Sequence, residues 1–275
     1  LKILQSLNTE QKAIFYKIRQ WALQKRNGQD PPPFYLCLHG PGGTGKSLLI
    51  KAIRYECDRL LAKTRENPDD ISVLVTAPTG VAAFNINAET IHSAFTIGID
   101  AYLPYVPLSE EKMNTLRCKY KSLQLIIIDE ISMVDNKLLT YIHGRLRQIR
   151  QTPEDKPFGN ISIVAVGDFY QLPPVKGKPL FAEKLGVDHW NDNFRKFELT
   201  QIMRQSNRSF AEILNRCRVR KRSEPLLPSD IAVLKSRETG ETPDCIHIFP
   251  RNCQVDEYNL KMLRSKCENE LAIEA

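Results

Sequence analysis

The feature that most constrains this fold is a glycine-rich stretch lying between a short apolar run and a helix-forming segment. Residues 40–47 read GPGGTGKS, and they follow the apolar residues 34–38. Glycines let consecutive backbone N–H groups turn inward around an anion, because no Cβ obstructs them. A helix that begins beside the loop points its positive dipole end toward the same anion. The pattern predicts a strand, loop and helix that hold the phosphates of ATP or GTP.

Two side chains of this loop supply further parts of such a site. Lys46 offers a mobile cation to the terminal phosphate oxygens, and the Ser47 hydroxyl is a ligand for Mg²⁺. The alternative is a plain glycine-rich turn that binds nothing. The predicted nucleotide-binding residues of the loop are Gly40, Pro41, Gly42, Gly43, Thr44, Gly45, Lys46 and Ser47.

The composition excludes several other classes of protein. The 275 residues are 42% hydrophobic and 26% charged, which is typical of a globular chain with one large or two small domains. The apolar runs in the sequence are strand-sized and too short to cross a bilayer, so we expect no membrane partner. Seven cysteines without a C-x-x-C pair favour a reduced, intracellular compartment. Because the chain begins at Leu1 rather than Met, we expect a fragment.

The charge balance is compatible with a polyanionic partner. Lys and Arg number 39 against 32 Asp and Glu, a net charge of +7. The densest basic cluster has two interpretations, a track for phosphates or a solvated helix end. Its members are Arg216, Arg218, Arg220, Lys221 and Arg222.

Alternating strand and helix patterns after the loop predict a parallel α/β sheet. Apolar strands near 71–77, 123–128 and 161–166 each end at a polar motif, while helices are predicted near 46–63 and 135–150. Ligands of open α/β sheets bind at the carboxyl ends of the strands. We therefore expect the polar motifs to converge near the glycine-rich loop.

Two of these motifs carry candidate catalytic residues. Asp129 and Glu130 end a strand, and a buried carboxylate there needs a cation. Asp129 would hold Mg²⁺ and Glu130 would polarise the water that attacks the γ-phosphate, unless both acids are merely solvated. Gln171 lies in GDFYQLPPV, where its amide can donate to a phosphate oxygen and accept from water. Read alone, that segment is a proline turn.

Five segments together resemble the Pif (petite integration frequency) family of superfamily-1 DNA helicases. They are GPGGTGKS, VTAPTGVAAFNINAETIHSAF, IIIDEISMVD, VGDFYQLPPV and LTQIMRQ. The resemblance implies an ATP-driven motor that moves 5′→3′ along single-stranded DNA and unwinds duplex ahead of it. It also implies a partner set of single-stranded DNA and duplex junctions, a monomer, and a nuclear or mitochondrial location in a eukaryote.

The resemblance assigns further residues to the nucleotide. Gln11 would read the adenine edge, and Arg204 would reach the γ-phosphate from a second lobe. A guanidinium fork suits the charge that develops on a transferring phosphoryl group. Without the resemblance, Gln11 is an ordinary helix-surface residue and Arg204 belongs to a surface salt bridge.

A DNA track is implied by the same resemblance. Thr79, His92 and Ser93 would bond phosphates, Phe95 or another aromatic would stack on a base, and Asn252 would touch a phosphate. Each has an alternative: a structural histidine, a core phenylalanine, or a helix cap at Thr79 or Asn252. The family pattern carries glycine before the Thr-Ile-His run, where this chain has Ala88-Glu89.

The implied fold is a RecA-like P-loop NTPase lobe with a parallel sheet, an inserted wedge subdomain and the start of a second RecA-like lobe. The first lobe is placed at 1–96 and 122–196, the wedge at 97–121 and the partial second lobe at 197–275. We expect a second sheet to begin near Phe197 and continue at 246–249. The family's remaining second-lobe motifs are not found before Ala275, so the alternative function is a nucleotide- and DNA-binding module without its own turnover.

Overall fold

The computed structural model describes residues 2–182, 188–221, 223–238, 240 and 245–266. The chain divides into two compact units, Leu1–Arg222 and Ser223–Ala275. Within the described residues the strands are β1 (Tyr35–His39), β2 (Val73–Ala77), β3 (Glu89–Thr90), β4 (Leu125–Ile128), β5 (Ser162–Gly167) and β6 (Arg195–Glu198).

Helices surround these strands in the larger unit. They are α1 (Lys2–Gln5), α2 (Thr9–Arg26), α3 (Lys46–Leu61), α4 (Gly80–Asn85), α5 (Ile91–Ala94), α6 (Glu110–Tyr120), α7 (Asn136–Arg150) and α8 (Arg208–Val219). The smaller unit contains α9 (Pro228–Lys235) and α10 (Asn252–Lys266). Short 3₁₀ turns lie at Ala62–Thr64, Ile131–Met133 and Pro157–Asn160.

The strands form one parallel sheet in the order β3-β2-β4-β5-β1-β6. Parallel strands place all their carboxyl ends at one edge, so the residues after β1, β4 and β5 share that edge. The predicted α/β fold with a parallel sheet is confirmed, as is the predicted alternation of strands and helices.

Both faces of the sheet are buried, as the apolar strands predict. In β4, Leu125 and Ile127 belong to a core that includes residues of α2 and α3. Ile126 and Ile128 point to the opposite core, which includes residues of α6 and α7. Each fully buried aliphatic side chain of this kind contributes about 1.5–3 kcal/mol to burial free energy. This packing fixes the positions of the strand ends that carry the polar motifs.

The segment predicted as a wedge packs on α7. Met113 and Tyr120 of α6 are fully buried in the core beneath it. Arg145 of α7, itself only 3% exposed, donates to the Tyr105 hydroxyl at 2.6 Å and to the Val106 carbonyl at 2.9 Å. The irregular stretch before α6 is therefore held against the helix by a buried guanidinium.

The second-sheet prediction is wrong at both of its strands. β6 extends the first sheet, with Phe197 aligned in parallel to Leu38 of β1. Residues 246–249 form no strand, and Ile246 and Ile248 are 97% and 93% exposed. A strand is stable only when its backbone pairs with a neighbouring strand, and within the described part of the chain the sheet does not include residues 246–249. No helix in the described part of the chain is both long and apolar enough to cross a membrane.

Candidate nucleotide site and nucleic-acid interface

The glycine-rich loop joins β1 directly to the start of α3. Gly45 occupies the N-cap position of α3 in the left-handed region, with φ of 75°. No side chain caps this helix start, and its first turn has no acidic residue. The first amides of a sixteen-residue helix therefore face the loop without a side-chain anion of the protein. That is the arrangement in which helix N-termini bind phosphate.

Two loop glycines with positive φ lie close against neighbouring side chains. Gly43 has φ of 86°, and a Cβ there would come within 3.0 Å of the Arg204 Cβ. A Cβ on Gly45 would overlap the Nε2 atom of Gln11. The loop is consequently pressed against two neighbouring segments of the chain, and its curvature depends on glycine at both positions.

Lys46 is folded back over the loop. Its Nζ donates to the carbonyls of Gly40 at 2.8 Å and Pro41 at 3.0 Å. Burial lowers the pKa of Lys46, and the negative charges of Asp168 and Glu130 oppose that effect. The ammonium therefore lies among carboxylates at the carboxyl edge of the sheet.

Asp129 is the buried acid at the end of β4. Burial raises its pKa to about 6, although the amide of Glu130 donates to Oδ1 at 2.9 Å and Lys46 also favours the charged form. The carboxylate is thus short of positive charge. Glu130 follows in the left-handed region, with φ of 48° and ψ of 46°, a conformation that non-glycine residues adopt mostly under local constraint.

The donor set fits Mg²⁺. Asp129 would contribute a carboxylate, and the exposed Ser47 in the first turn of α3 would contribute a hydroxyl. Mg²⁺ in nucleotide sites is typically held by one or two protein oxygens together with substrate phosphates and water. The described residues contain no group of three or more His, Cys, Asp or Glu that could hold a metal alone. A site that depends on the nucleotide for its other ligands agrees with both observations.

Gln171 lies beside the loop, as its predicted role requires. Its Nε2 donates to Oδ2 of Asp168 at 3.0 Å, and its backbone N donates to the Asp168 carbonyl at 2.9 Å. The same Nε2 is 3.9 Å from the position that a Cβ of Gly42 would occupy. The amide is therefore close to the phosphate cradle.

Asp168 and Arg218 form an ion pair that the sequence analysis did not assign. Two guanidinium nitrogens of Arg218 contact the two carboxylate oxygens of Asp168, each at 2.7 Å. Asp168 is fully buried, so for Arg218 the solvated-helix-end interpretation is wrong. The sequence did contain a signal for the importance of Asp168. This residue directly follows β5, just as the other polar motifs directly follow their own strands.

The segment that carries Arg204 is held by hydrogen bonds to the loop and, through Thr200, to the start of α2. Its amide donates to the carbonyl of Gly43 at 3.1 Å. Upstream, Glu10 accepts from the Thr200 amide at 2.9 Å and from the Thr200 hydroxyl at 2.5 Å, and these bonds lower the pKa of Glu10. Arg204 therefore belongs to the same compact unit as the glycine-rich loop, which corrects its placement in a second lobe.

Gln11 is buried under the loop. Its Nε2 donates to the Thr44 carbonyl at 2.8 Å, and its Oε1 accepts from the Asn8 amide at 2.9 Å. Asn8 returns a bond to the Gln11 amide, which completes a capping box for α2. The helix-surface alternative is wrong, because Gln11 is 1% exposed. Reading of adenine stays a prediction, and one N–H and one lone pair of the amide remain for it.

Two predicted DNA-contacting residues lie in one groove of about 510 Å³. Thr79 and His92 line it, together with the cations Lys137 and Lys176 and the acids Asp100 and Asp135. Thr79 also caps α4, since its side chain accepts from the Ala82 amide at 3.2 Å. Burial and then the charge of Lys137 lower the pKa of His92, which favours a neutral imidazole. Ser93 beside it is exposed.

Base stacking by Phe95 does not fit the structure. Its ring is fully buried and lies 6.2 Å from the ring of Tyr120, so the core alternative is correct. Phe84 of α4 is instead 83% exposed, five residues after Thr79. The sequence-based prediction was Phe95 or another aromatic residue, and Phe84 is one that could take this role. Phe84 differs from Phe95 because it lies on the solvent side of α4.

Asn252, the exposed first residue of α10, lies in the smaller unit, and its DNA contact stays a prediction.

Known proteins resemble this chain in sequence. A model of the PIF1-like helicase family matches residues 6–223. The ATP-dependent DNA helicase PIF1 of Emericella nidulans is 34% identical over 224 residues, which are 80% of this chain and 29% of the relative. The Pif1 helicase of Bdellovibrio bacteriovorus is 30% identical over 247 residues, 86% of this chain and 51% of the relative. The chain thus spans about half or less of these curated relatives.

Solved structures resemble it in fold. The crystal structure of Pif1 helicase from Candida albicans superimposes with a TM-score of 0.70 at 27% identity, over 94% of this chain and 55% of that one. A Bacteroides Pif1 helicase in complex with ADP-AlF3 and single-stranded DNA gives a TM-score of 0.62 at 27% identity, over 91% and 58%. These matches confirm the RecA-like fold and the resemblance predicted from the five segments. With the family match extending over residues 6–223, the chain belongs to the PIF1-like helicase family.

Proposed function

We propose that this chain is the nucleotide-hydrolysing part of an ATP-dependent DNA helicase. In this account, ATP hydrolysis drives 5′→3′ translocation on single-stranded DNA and unwinding at duplex junctions. One observation carries the proposal: in a PIF1-like chain, the glycine-rich loop, Asp129, Glu130 and Gln171 all lie at the carboxyl edge of one sheet. A P-loop fold that bound nucleotide without hydrolysing it would not require two acids and an amide at the same edge of the sheet.

The residues divide the chemistry between them. Backbone amides of the loop and Lys46 bind the phosphate chain, and Ser47 and Asp129 hold Mg²⁺. When bound, Mg²⁺ adds positive charge beside the phosphates. Glu130 polarises the attacking water, and Gln171 orients that water toward the γ-phosphate.

Two further residues complete the nucleotide site. Arg204 stabilises the charge that develops on the transferring group. The bond from its amide to Gly43 and the approach of its Cβ to that glycine support this role. Gln11 reads the adenine edge with the donor and acceptor that its internal bonds leave over.

The DNA track is proposed along the groove that Thr79 and His92 line, with Ser93 at its edge. The cations Lys137 and Lys176 support a phosphate-binding role. Phe84 provides a ring on which a base stacks. The Bacteroides relative whose structure contains ADP-AlF3 and single-stranded DNA supports simultaneous use of both ligands.

The larger organisation is also a proposal. Residues 97–121 act as a strand-separating wedge, and the smaller unit begins a second motor lobe that includes Asn252. The protein is also proposed to act as a monomer and, in a eukaryote, to work in the nucleus or mitochondrion.

Steady-state ATP hydrolysis, measured with and without single-stranded DNA, tests the proposal. DNA should stimulate turnover, and Lys46→Ala should abolish it because the terminal phosphates lose their mobile cation. DNA-independent turnover would indicate another kind of NTPase. Saturable binding of nucleotide and DNA without turnover would favour the alternative, a binding module.

A further inference from the structure

The Asp168–Arg218 pair lies beside Gln171 but has no part in the chemistry proposed above. Arg218 Nε contacts Oδ2 and Arg218 Nη2 contacts Oδ1, both at 2.7 Å. Asp168 is fully buried, and the Arg218 side chain is 14% exposed. Two parallel N–H···O bonds of this kind give geometric specificity as well as attraction. The carboxylate plane is therefore fixed by the guanidinium fork.

The same carboxylate also holds the segment that carries Gln171. Oδ2 accepts from Gln171 Nε2 at 3.0 Å, and Oδ1 accepts from the Tyr170 amide at 3.1 Å. Burial opposes ionisation, yet the bonds from Arg218, Tyr170 and Gln171 hold the pKa of Asp168 below its usual value. Only the ionised form accepts from all four donors. Removal of the cation would leave a buried charge that takes up a proton or turns away.

Arg218 is itself held in place on its remaining sides. Its guanidinium lies over the Tyr170 ring at 4.6 Å, and Nη1 donates to Oδ1 of Asn215 at 2.9 Å. It also lines a pocket of about 280 Å³ with Gly42 of the phosphate loop. A lysine would keep the charge there but could not span both oxygens of Asp168.

We propose that Arg218 is a positioning residue which, through the Asp168 carboxylate, holds the Gln171 amide where the terminal phosphate of the nucleotide binds. This inference rests on the role proposed above for Gln171. The bond to Asp168 uses one N–H of the amide and leaves its oxygen and second N–H for water and phosphate. Through Gln171, Arg218 should therefore affect the binding of a triphosphate, whose terminal phosphate the amide reaches, and not the binding of a diphosphate.

The test compares the affinities of Mg·ADP and Mg·ATPγS, measured by calorimetry on the whole chain. We expect Gln171→Ala and Arg218→Met each to leave ADP affinity within about twofold and to reduce the preference for ATPγS about tenfold. The double variant should lose no more than either single one, because both act on the same amide. Arg208→Met, which removes a 93% exposed arginine from the same helix, should match the wild type.

Several results would overturn the inference. Unchanged preference in Arg218→Met, or losses that multiply in the double variant, would show that Arg218 does not act through Gln171. A merely structural role would weaken both nucleotides equally. If Arg218→Met does not fold, Arg218→Lys replaces it and should lose most of the preference. If Gln171→Ala itself keeps the wild-type preference for ATPγS, the role proposed for Gln171 is wrong. The Gln171→Ala measurement therefore separates a failure of the proposed function from a failure of the inference about Arg218.

Discussion

At the residue scale, Asp129 meets opposing demands from folding and from ligand binding. The residue is 7% exposed, and its raised pKa reflects a carboxylate charge that lacks a full partner in the ligand-free protein. The native pKa of about 6 lies above the usual 3.8, so the native state binds this proton more tightly than the unfolded state. Asp129 therefore favours folding below about pH 4, and that contribution is lost as the pH rises through 6.

Asp129→Asn should consequently stabilise the ligand-free protein at neutral pH. Asparagine keeps an oxygen for the Glu130 amide but carries no buried charge. The raised pKa of Asp129 corresponds to a gain in the free energy of unfolding of about 3 kcal/mol at pH 7.5. At pH 4.5 the gain falls to about 1 kcal/mol. Urea unfolding of both proteins at the two pH values measures it. A variant less stable than the wild type at pH 7.5, or a gain that is independent of pH, would contradict the account.

Phe84 and Phe95 allow the DNA proposal to be tested with matched substitutions. Phe84→Ala should weaken single-stranded DNA binding about tenfold, since stacking on one ring contributes about 1–3 kcal/mol. It should hardly change stability, because the ring is 83% exposed. Phe95→Ala should cost about 3–5 kcal/mol of stability through a core cavity. Fluorescence anisotropy with labelled DNA measures the DNA affinity of each variant, and thermal melts measure its stability. Equal DNA affinity in Phe84→Ala and the wild type would remove Phe84 from the track.

At the scale of elements, the loop–helix junction is where local backbone conformation and tertiary packing coincide. Gly45 and Gly28 both have positive φ, at 75° and 76°. Only Gly45 is enclosed, because a Cβ there meets the Gln11 amide, whereas nothing lies within 4 Å of a Cβ on Gly28. The two positions therefore separate conformational strain from steric overlap.

Gly28→Ala should cost about 1 kcal/mol of stability through backbone strain alone and should leave nucleotide affinity unchanged. Gly45→Ala should cost about 1–3 kcal/mol more, because it displaces the side chain that holds the Thr44 carbonyl. Its nucleotide affinity should fall at least about tenfold. Chemical unfolding and nucleotide titration of the two variants give the comparison. Similar affinities would mean that the loop does not depend on this contact.

At the scale of the whole molecule, the sequence predicted what depends on local patterns. The strand-loop-helix around Lys46, the acids after β4 and the parallel sheet all follow from adjacent residues. Features that depend on contacts between residues far apart in the sequence were either not predicted or predicted wrongly. Arg218 meets Asp168 from fifty positions away, and β6 pairs with β1, which is far earlier in the chain. The burial of Phe95 depends on Tyr120 of another helix.

The central claim is that one sheet edge assembles the cradle, the acids and Gln171 around a single magnesium nucleotide. A crystal structure of the chain grown with Mg²⁺, ADP and aluminium fluoride tests it most directly. The account predicts phosphates within Gly40–Ser47, the metal beside Ser47, and Glu130 and Gln171 facing the fluoride. An empty cradle at saturating nucleotide, or Glu130 turned away from an occupied one, would contradict it.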